Sequence, residues 1–440
     1  MCHSPENASM RLADRILRFR VYTGSLRGAW CLIGLFLGSN LAAQQVESLS
    51  LAEAERLALA GDPGRAALEA RAYALQEESI VAAQLPDPRL RVGLVNYPLE
   101  AGGFSTEGMT QVQIGYHQSF PPGETRELSA LQVQALALEL TETANDRDRA
   151  VLTAVRSDWL RAYYWEHAQE IVMESRPLFA DLVTITRSLY AVGTRDQQDV
   201  LRAQLELSRL DDRLLEIGRH LAETRASLSE WLPDAASRPL ADSLPGWDEL
   251  PSLDELRYRL AQHPALMAAD ARIEARGFGI EVAEEQSKAG WSVDVGYGYR
   301  EGYLPNGSPR SDLVTVNFAV DLPFFKRNRQ DRSLAAAFSE RRAAESSKEE
   351  LMRRLMSQLE AAFSRWQELT RRIELYEAQI VIQTRDHSQA ALLAYQSDAG
   401  DFSDVMRGYI DELNVRLDHL QLQIDRAETY ARLANLGGLL

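Results

Sequence analysis

Two stretches of this 440-residue sequence carry almost no backbone punctuation, and they set the scale of anything it folds into. From about Glu124 to Tyr190 there is no glycine and a single proline, Pro177; from about Asn328 to Tyr395 there is neither. An α-helix rises 1.5 Å per residue, so each stretch predicts a rod of roughly 100 Å. That is far longer than a compact domain is wide. Leu351, Leu355, Leu359, Phe363, Trp366, Leu369, Ile373, Tyr376 and Ile380 keep one helical stripe. Leu207, Leu210, Leu214, Ile217, Leu221, Thr224, Leu228 and Trp231 step 3-4-3-4, the spacing of supercoiled, packed helices.

The rods belong to a unit that occurs twice. Residues 51–232 lie over 253–436: Leu51-Ala52-Glu53 matches Leu253-Asp254-Glu255, and Pro63 matches Pro264. Each copy then has a helical pattern, two alternating stretches and a long rod. Arg89 to Leu94 corresponds to Trp291 to Gly296; Gln111 to Phe120 precedes Pro121 as Leu313 to Leu322 precedes Pro323. The rods end near Tyr190 and Tyr395, each shortly before an Asp-Val pair, Asp199-Val200 and Asp404-Val405. The segment Pro233 to Pro251, with Pro239, Pro245 and Gly246, reads as the linker. The expected fold is therefore mainly α with a small β part, a duplicated helix–strand–strand–helix unit. The first repeat is expected over 44–245 with strands near 89–97 and 111–120, and the second over 246–440 with strands near 291–299 and 313–322. The short helical stretches 51–84 with 195–232, and 253–288 with 403–436, each sum to the length of a rod, so two end to end would lie beside one long helix.

The strands divide by face. Val112, Ile114, Tyr116 and Phe120 oppose Gln111, Gln113, Gly115 and His117; Val314, Val316, Phe318 and Val320 oppose Thr315, Asn317 and Asp321. Two-faced segments of about ten residues suit a transmembrane β-barrel, and equally a half-buried hairpin. Tyr97, Trp291, Tyr297, Tyr299 and Tyr303 cluster near strand ends, as interfacial aromatics do. Joined to the rods and an export signal, the barrel is the better account. Four strands cannot close a barrel, and lipid tolerates no open edge. Several copies must share one: two chains give eight strands and three give twelve.

Residues 1–43 read as the export signal. Arg11, Arg15, Arg18, Arg20 and Arg27 precede an apolar run from Ala29 to Leu37 and the small-residue stretch Gly38 to Ala43, with Met10 as an alternative start. The run is shorter than a membrane helix. Both cysteines, Cys2 and Cys31, lie before residue 44, which leaves no disulfide framework and no thiolate metal cage beyond it. A net charge of −16 disfavours nucleic acid as a partner. The mean hydropathy of −0.29 excludes a multi-helix membrane bundle. Gly296, Gly298 and Gly302 miss the dinucleotide spacing, and no phosphate loop, nucleophile elbow or paired-histidine zinc motif occurs. His117, His167, His220, His263, His387 and His419 are scattered. No enzyme, cofactor or metal site is expected.

The duplicated order, with Tyr190-Ala191-Val192-Gly193-Thr194-Arg195 running into Asp199-Val200-Leu201, resembles the TolC family of outer-membrane efflux and secretion channels. The second copy is looser, Tyr395-Gln396-Ser397-Asp398-Ala399-Gly400 running into Asp404-Val405-Met406. Leu85-Pro86-Asp87-Pro88 and Gln118-Ser119-Phe120-Pro121-Pro122-Gly123 look like its heavy-metal efflux branch. The resemblance implies a homotrimer in the outer membrane of a Gram-negative bacterium. Its twelve-stranded barrel would sit in outer-membrane lipid and continue into a periplasmic helical tunnel. The tunnel's far end would dock a periplasmic adaptor and, through it, an inner-membrane pump. By matching position, Asp199 and Asp404 would ring a gate; Arg202 and Arg407 stand where the family often has a second acid, so an Asp–Arg latch is the alternative. Gly193, Thr194, Arg195, Ala399 and Gly400 would form the docking tip. Export of metal ions or small toxic solutes is the expected function. Protein secretion, or a periplasmic coiled-coil scaffold without a pore, are the alternatives.

Overall fold

The computed structural model describes residues 48–439; the export signal read over 1–43 and the start of the first repeat lie outside them. In chain order the elements are α1 (Leu51–Gly61), α2 (Pro63–Ala82), β1 (Arg89–Val95), β2 (Gln111–Phe120), α3 (Thr125–Ala191) and α4 (Gln197–Trp231). The second set is α5 (Leu253–Leu260), α6 (Pro264–Glu285), β3 (Trp291–Tyr299), β4 (Leu313–Val320), α7 (Gln330–Leu375), α8 (Val381–Gln396) and α9 (Phe402–Gly437).

The two sets start on the same local chemistry. Ser50 caps α1 by accepting from the Glu53 amide, and Ser252 caps α5 from the Glu255 amide. α2 and α6 each open on a proline, whose missing N–H costs nothing in a first turn, behind the capping side chains of Asp62 and His263. α3 runs through Pro177 without a break for 67 residues, roughly 100 Å. The second rod differs from the expectation of one continuous helix. A π-helical turn, Tyr376–Ile380, separates α7 from α8. It holds neither glycine nor proline, so residue type does not announce it. α2 and α4 both lie along α3, while α6 and α9 lie along the α7–α8 rod; α6 and α9 also touch α3 and so join the copies.

The main core gathers α1, α3, α4, α9 and the linker around Trp159, which is fully buried and donates its indole N–H to the Leu49 carbonyl at 3.0 Å. The linker is no loose joint. Leu240 is buried and bridges Leu49, the Tyr163 hydroxyl donates to the Asp242 carbonyl, and Trp247 stacks on Tyr430. A second cluster, Leu256, Leu260, Leu266, Leu355, Leu359, Leu433 and Leu436, serves the other copy.

The cap of α6 makes stability pH-dependent. His263 is 3% exposed, its Nδ1 accepts from the Ala265 amide, and its Nε2 lies 3.3 Å from Asn435 Oδ1. Burial lowers its pKa from the ordinary 6.5; the Asn435 contact and Asp146 oppose this, and Arg149 adds to it. Below 6.5 the unfolded chain thus binds the proton first, and stability falls as pH drops through the lowered folded value. His263→Asn keeps a capping acceptor and should flatten this acid limb in thermal melts in detergent.

The four strands form one antiparallel sheet in the order β1-β2-β3-β4. The central pairing, Val112↔Tyr299 to Phe120↔Trp291, stitches the copies together. β1 stops at Val95, before the expected Tyr97, because Asn96 turns the chain at φ 53. β4 stops at Val320, short of the expected Leu322, with Pro323 just beyond. The outer edges of β1 and β4 have no partner strand among the described residues.

Candidate functional site

Register decides which side chains share a face of the sheet. Leu90, Val92 and Leu94 lie opposite Tyr116, Ile114 and Val112, which lie opposite Val295, Tyr297 and Tyr299, and these lead on to Val316 and Val314. Val293 and Trp291 extend the same face to Phe318 and Val320. It is a broad apolar surface with no cover among the described residues: Leu90, Val314, Val316 and Phe318 are 64–73% exposed. A soluble sheet does not leave such a face to water.

The opposite face is polar and small. Arg91, Gln113, His117, Asp294, Thr315 and Asn317 line a hollow of about 270 Å³ with Gly93, Gly115 and Gly296. Asp294 Oδ1 lies 3.0 Å from His117 Nδ1 of the adjacent β2 and 3.8 Å from the Arg91 guanidinium of β1. Among the described residues no group of three or more His, Cys, Asp or Glu side chains is placed to hold a metal, and no helix is long and apolar enough to cross a membrane.

At the other end, both rods finish in the same turn. α3 closes with the Gly193 amide donating to Tyr190 and the Thr194 amide to Leu189; the second rod closes with the Asp398 amide to Tyr395 and the Ala399 amide to Ala394. This is the helix-ending motif that needs a left-handed residue, supplied by Gly193 at φ 77 and Asp398 at φ 63. The expected turn residues Ala399 and Gly400 fall just after that position. Arg195 ties the two turns. It lies 2.7 Å from Asp398 Oδ1, donates to the Gly400 carbonyl at 3.4 Å, and sits 5.0 Å over the ring of the buried Tyr395.

The gate candidates stand near this clamp without entering it. Asp199 is half-buried in the first turn of α4. Burial raises its pKa most, Asp196 and Asp401 add to the rise, and Arg202 and Arg195 oppose it. Asp404 and Arg407 are 3.7 Å apart on one face of α9, both more than half exposed, so that pair links one turn of a single helix and not two helices. Arg202 makes no ion pair within 4 Å among the described residues, and is exposed. Residue type alone does not announce the Asp398 contact; its signal in the sequence is that Asp398 aligns with Gly193 in the duplication.

No protein-family model matches the sequence, and no curated protein matches it either. Solved structures do. The channel protein CusC aligns with a TM-score of 0.76 at 14% identity, over 88% of this chain and 92% of that one. The outer-membrane protein VceC of Vibrio cholerae gives 0.74 at 17%, over 88% and 96%. The open state of the MtrE outer-membrane channel of Neisseria gonorrhoeae gives 0.70 at 14%, over 88% and 88%. The chain has the fold of these outer-membrane channels, long helices that carry a four-stranded antiparallel sheet.

Proposed function

We propose that this chain is a TolC-family outer-membrane factor, the channel of a tripartite efflux system: a passive homotrimeric duct through outer membrane and periplasm. The observation that carries the reading is the sheet, which among the described residues is apolar and bare on one side, polar on the other, and unpaired at both outer edges. In hydrocarbon an unpaired edge costs several kcal/mol per polar group, so copies must pair edge to edge until the ring closes. Three copies give a twelve-stranded ring, the number for which the family resemblance argues. The 1–43 signal, the two repeats (44–245 and 246–440) and the outer-membrane location belong to the same proposal, with a periplasmic adaptor and an inner-membrane pump as partners. The tip comprises Gly193, Thr194, Arg195, Ala399 and Gly400; Asp199 and Asp404, flanked by Arg202 and Arg407, face the constriction. Small solutes are the cargo class. Metal ions as cargo draw support only from the short strings near residues 85 and 120.

Assembly tests this directly. Protein extracted in mild detergent should have the mass of three chains and conduct ions in planar bilayers. A species of one-chain mass that keeps its strands would contradict the proposal, and a stable assembly without conductance would favour a pore-less scaffold.

A further inference from the structure

Exposed apolar side chains continue beyond the end of β4, although the strand does not. The Phe324 amide turns back to the Leu322 carbonyl at 2.9 Å, and Leu322, Phe324 and Phe325 are 62%, 76% and 85% exposed. Phe318, Trp291 and Phe120 cluster at the same end of the sheet, with ring centroids 5.5 and 3.9 Å apart. An aromatic band therefore marks the helix-side rim.

Directly beyond it the chain turns basic. Lys326, Arg327, Arg329 and Arg332 follow, all exposed, against Asp321 and Asp331 in the same segment. None of the four cations has an ion-pair partner within 4 Å among the described residues. Glu285 of α6 is already engaged by Lys288 and by the Glu124 amide. Arg329 and Arg332 line an open hollow of about 650 Å³ with Gln286, Asn328, Gln330 and Ser333, and Gln330 Oε1 is buried there without a partner. The first copy has Pro121-Pro122-Gly123-Glu124 in this place, and its Arg126 donates to the Ala83 carbonyl. The feature is specific to the second copy.

We propose that the 322–332 segment seats the headgroup of an anionic phospholipid, with Leu322, Phe324 and Phe325 in the interfacial layer and Arg329 and Arg332 on the phosphate. The proposal rests on the barrel reading above. Aromatic rings favour the interface, and each cation near an anionic surface contributes about 1 kcal/mol. Four exposed cations without an ion-pair partner among the described residues complement the phosphate of an anionic headgroup.

The test uses the assembled protein with p-benzoylphenylalanine in place of Phe325, in nanodiscs of phosphatidylethanolamine with phosphatidylglycerol as the minority lipid. With phosphatidylglycerol at about one lipid in fifty, photolysis should attach it at least tenfold above its share, and Arg329→Gln with Arg332→Gln should remove most of that bias. Millimolar inorganic phosphate should leave the bias unchanged. Adducts in proportion to composition, chain-to-chain adducts, or loss of the bias to free phosphate would each overturn the lipid site while an inserted, conducting assembly leaves the barrel standing. A wild-type protein that never inserts would overturn the barrel reading and the site together.

Discussion

Val316→Arg is expected to remove most of the protein from the outer membrane, whereas Asn317→Arg, one residue on, should leave it there. Val316 sits mid-strand on the apolar face opposite Val295 and is 66% exposed. If that face meets hydrocarbon, an arginine at the midplane costs roughly 2–4 kcal/mol per chain. An assembly of several copies bears the cost in each, so a drop of at least about tenfold in membrane-inserted protein is expected. Asn317 pairs with Asp294 on the polar face, where an arginine finds water and a carboxylate. Fractionation followed by denaturation resistance reads the difference. Equal behaviour of the two variants would mean that the bare face does not meet lipid.

The second large effect belongs to Arg195. Its exposed partner Asp398 makes the ion pair alone worth no more than ~1 kcal/mol. The guanidinium also lies over Tyr395 and reaches the Gly400 carbonyl, each adding of order 1 kcal/mol. Arg195→Glu removes all three contacts and sets two acids against each other between the α3–α4 and α8–α9 turns. A loss of about 2 kcal/mol per chain changes a two-state closure by more than tenfold, so resting conductance at low salt should rise by at least that factor. Arg407→Glu touches only a 3.7 Å, largely exposed pair and should change conductance far less. The reverse order would place the closing contact on α9 and not at the turns.

Much of the architecture was readable in residue order because it rests on local, repeated signals. Missing glycine and proline set the length of α3, alternation marks the strands, and the match of Leu51-Ala52-Glu53 to Leu253-Asp254-Glu255 marks the start of both copies. What escaped depends on geometry that residue type does not encode. The π-helical turn at Tyr376–Ile380 has ordinary helical composition, and the Asn96 turn cut β1 short by a choice of φ. The candidate site was legible only as a list of charges near two turns. Arg195 belongs to the expected tip, but its three contacts come from the second copy, some two hundred residues away, and only packing brings them together. Aligning Asp398 with Gly193 was the available clue, since both take the left-handed position.

Topology is the most direct test of the central claim. Beyond residue 43 the chain has no cysteine, so with Cys2 and Cys31 replaced by serine a single introduced thiol reports unambiguously. Gly103 and Gly307 are poor hosts at φ 91 and 81, but the exposed Ser105 and Ser308 in the same strand-joining loops accept cysteine conservatively. An impermeant maleimide applied to intact cells should label Ser105→Cys and Ser308→Cys, and should reach Thr194→Cys at the helical tip only after lysis. Labelling of the tip in intact cells, or of the loops only after lysis, would contradict a barrel that opens outward with its tunnel in the periplasm.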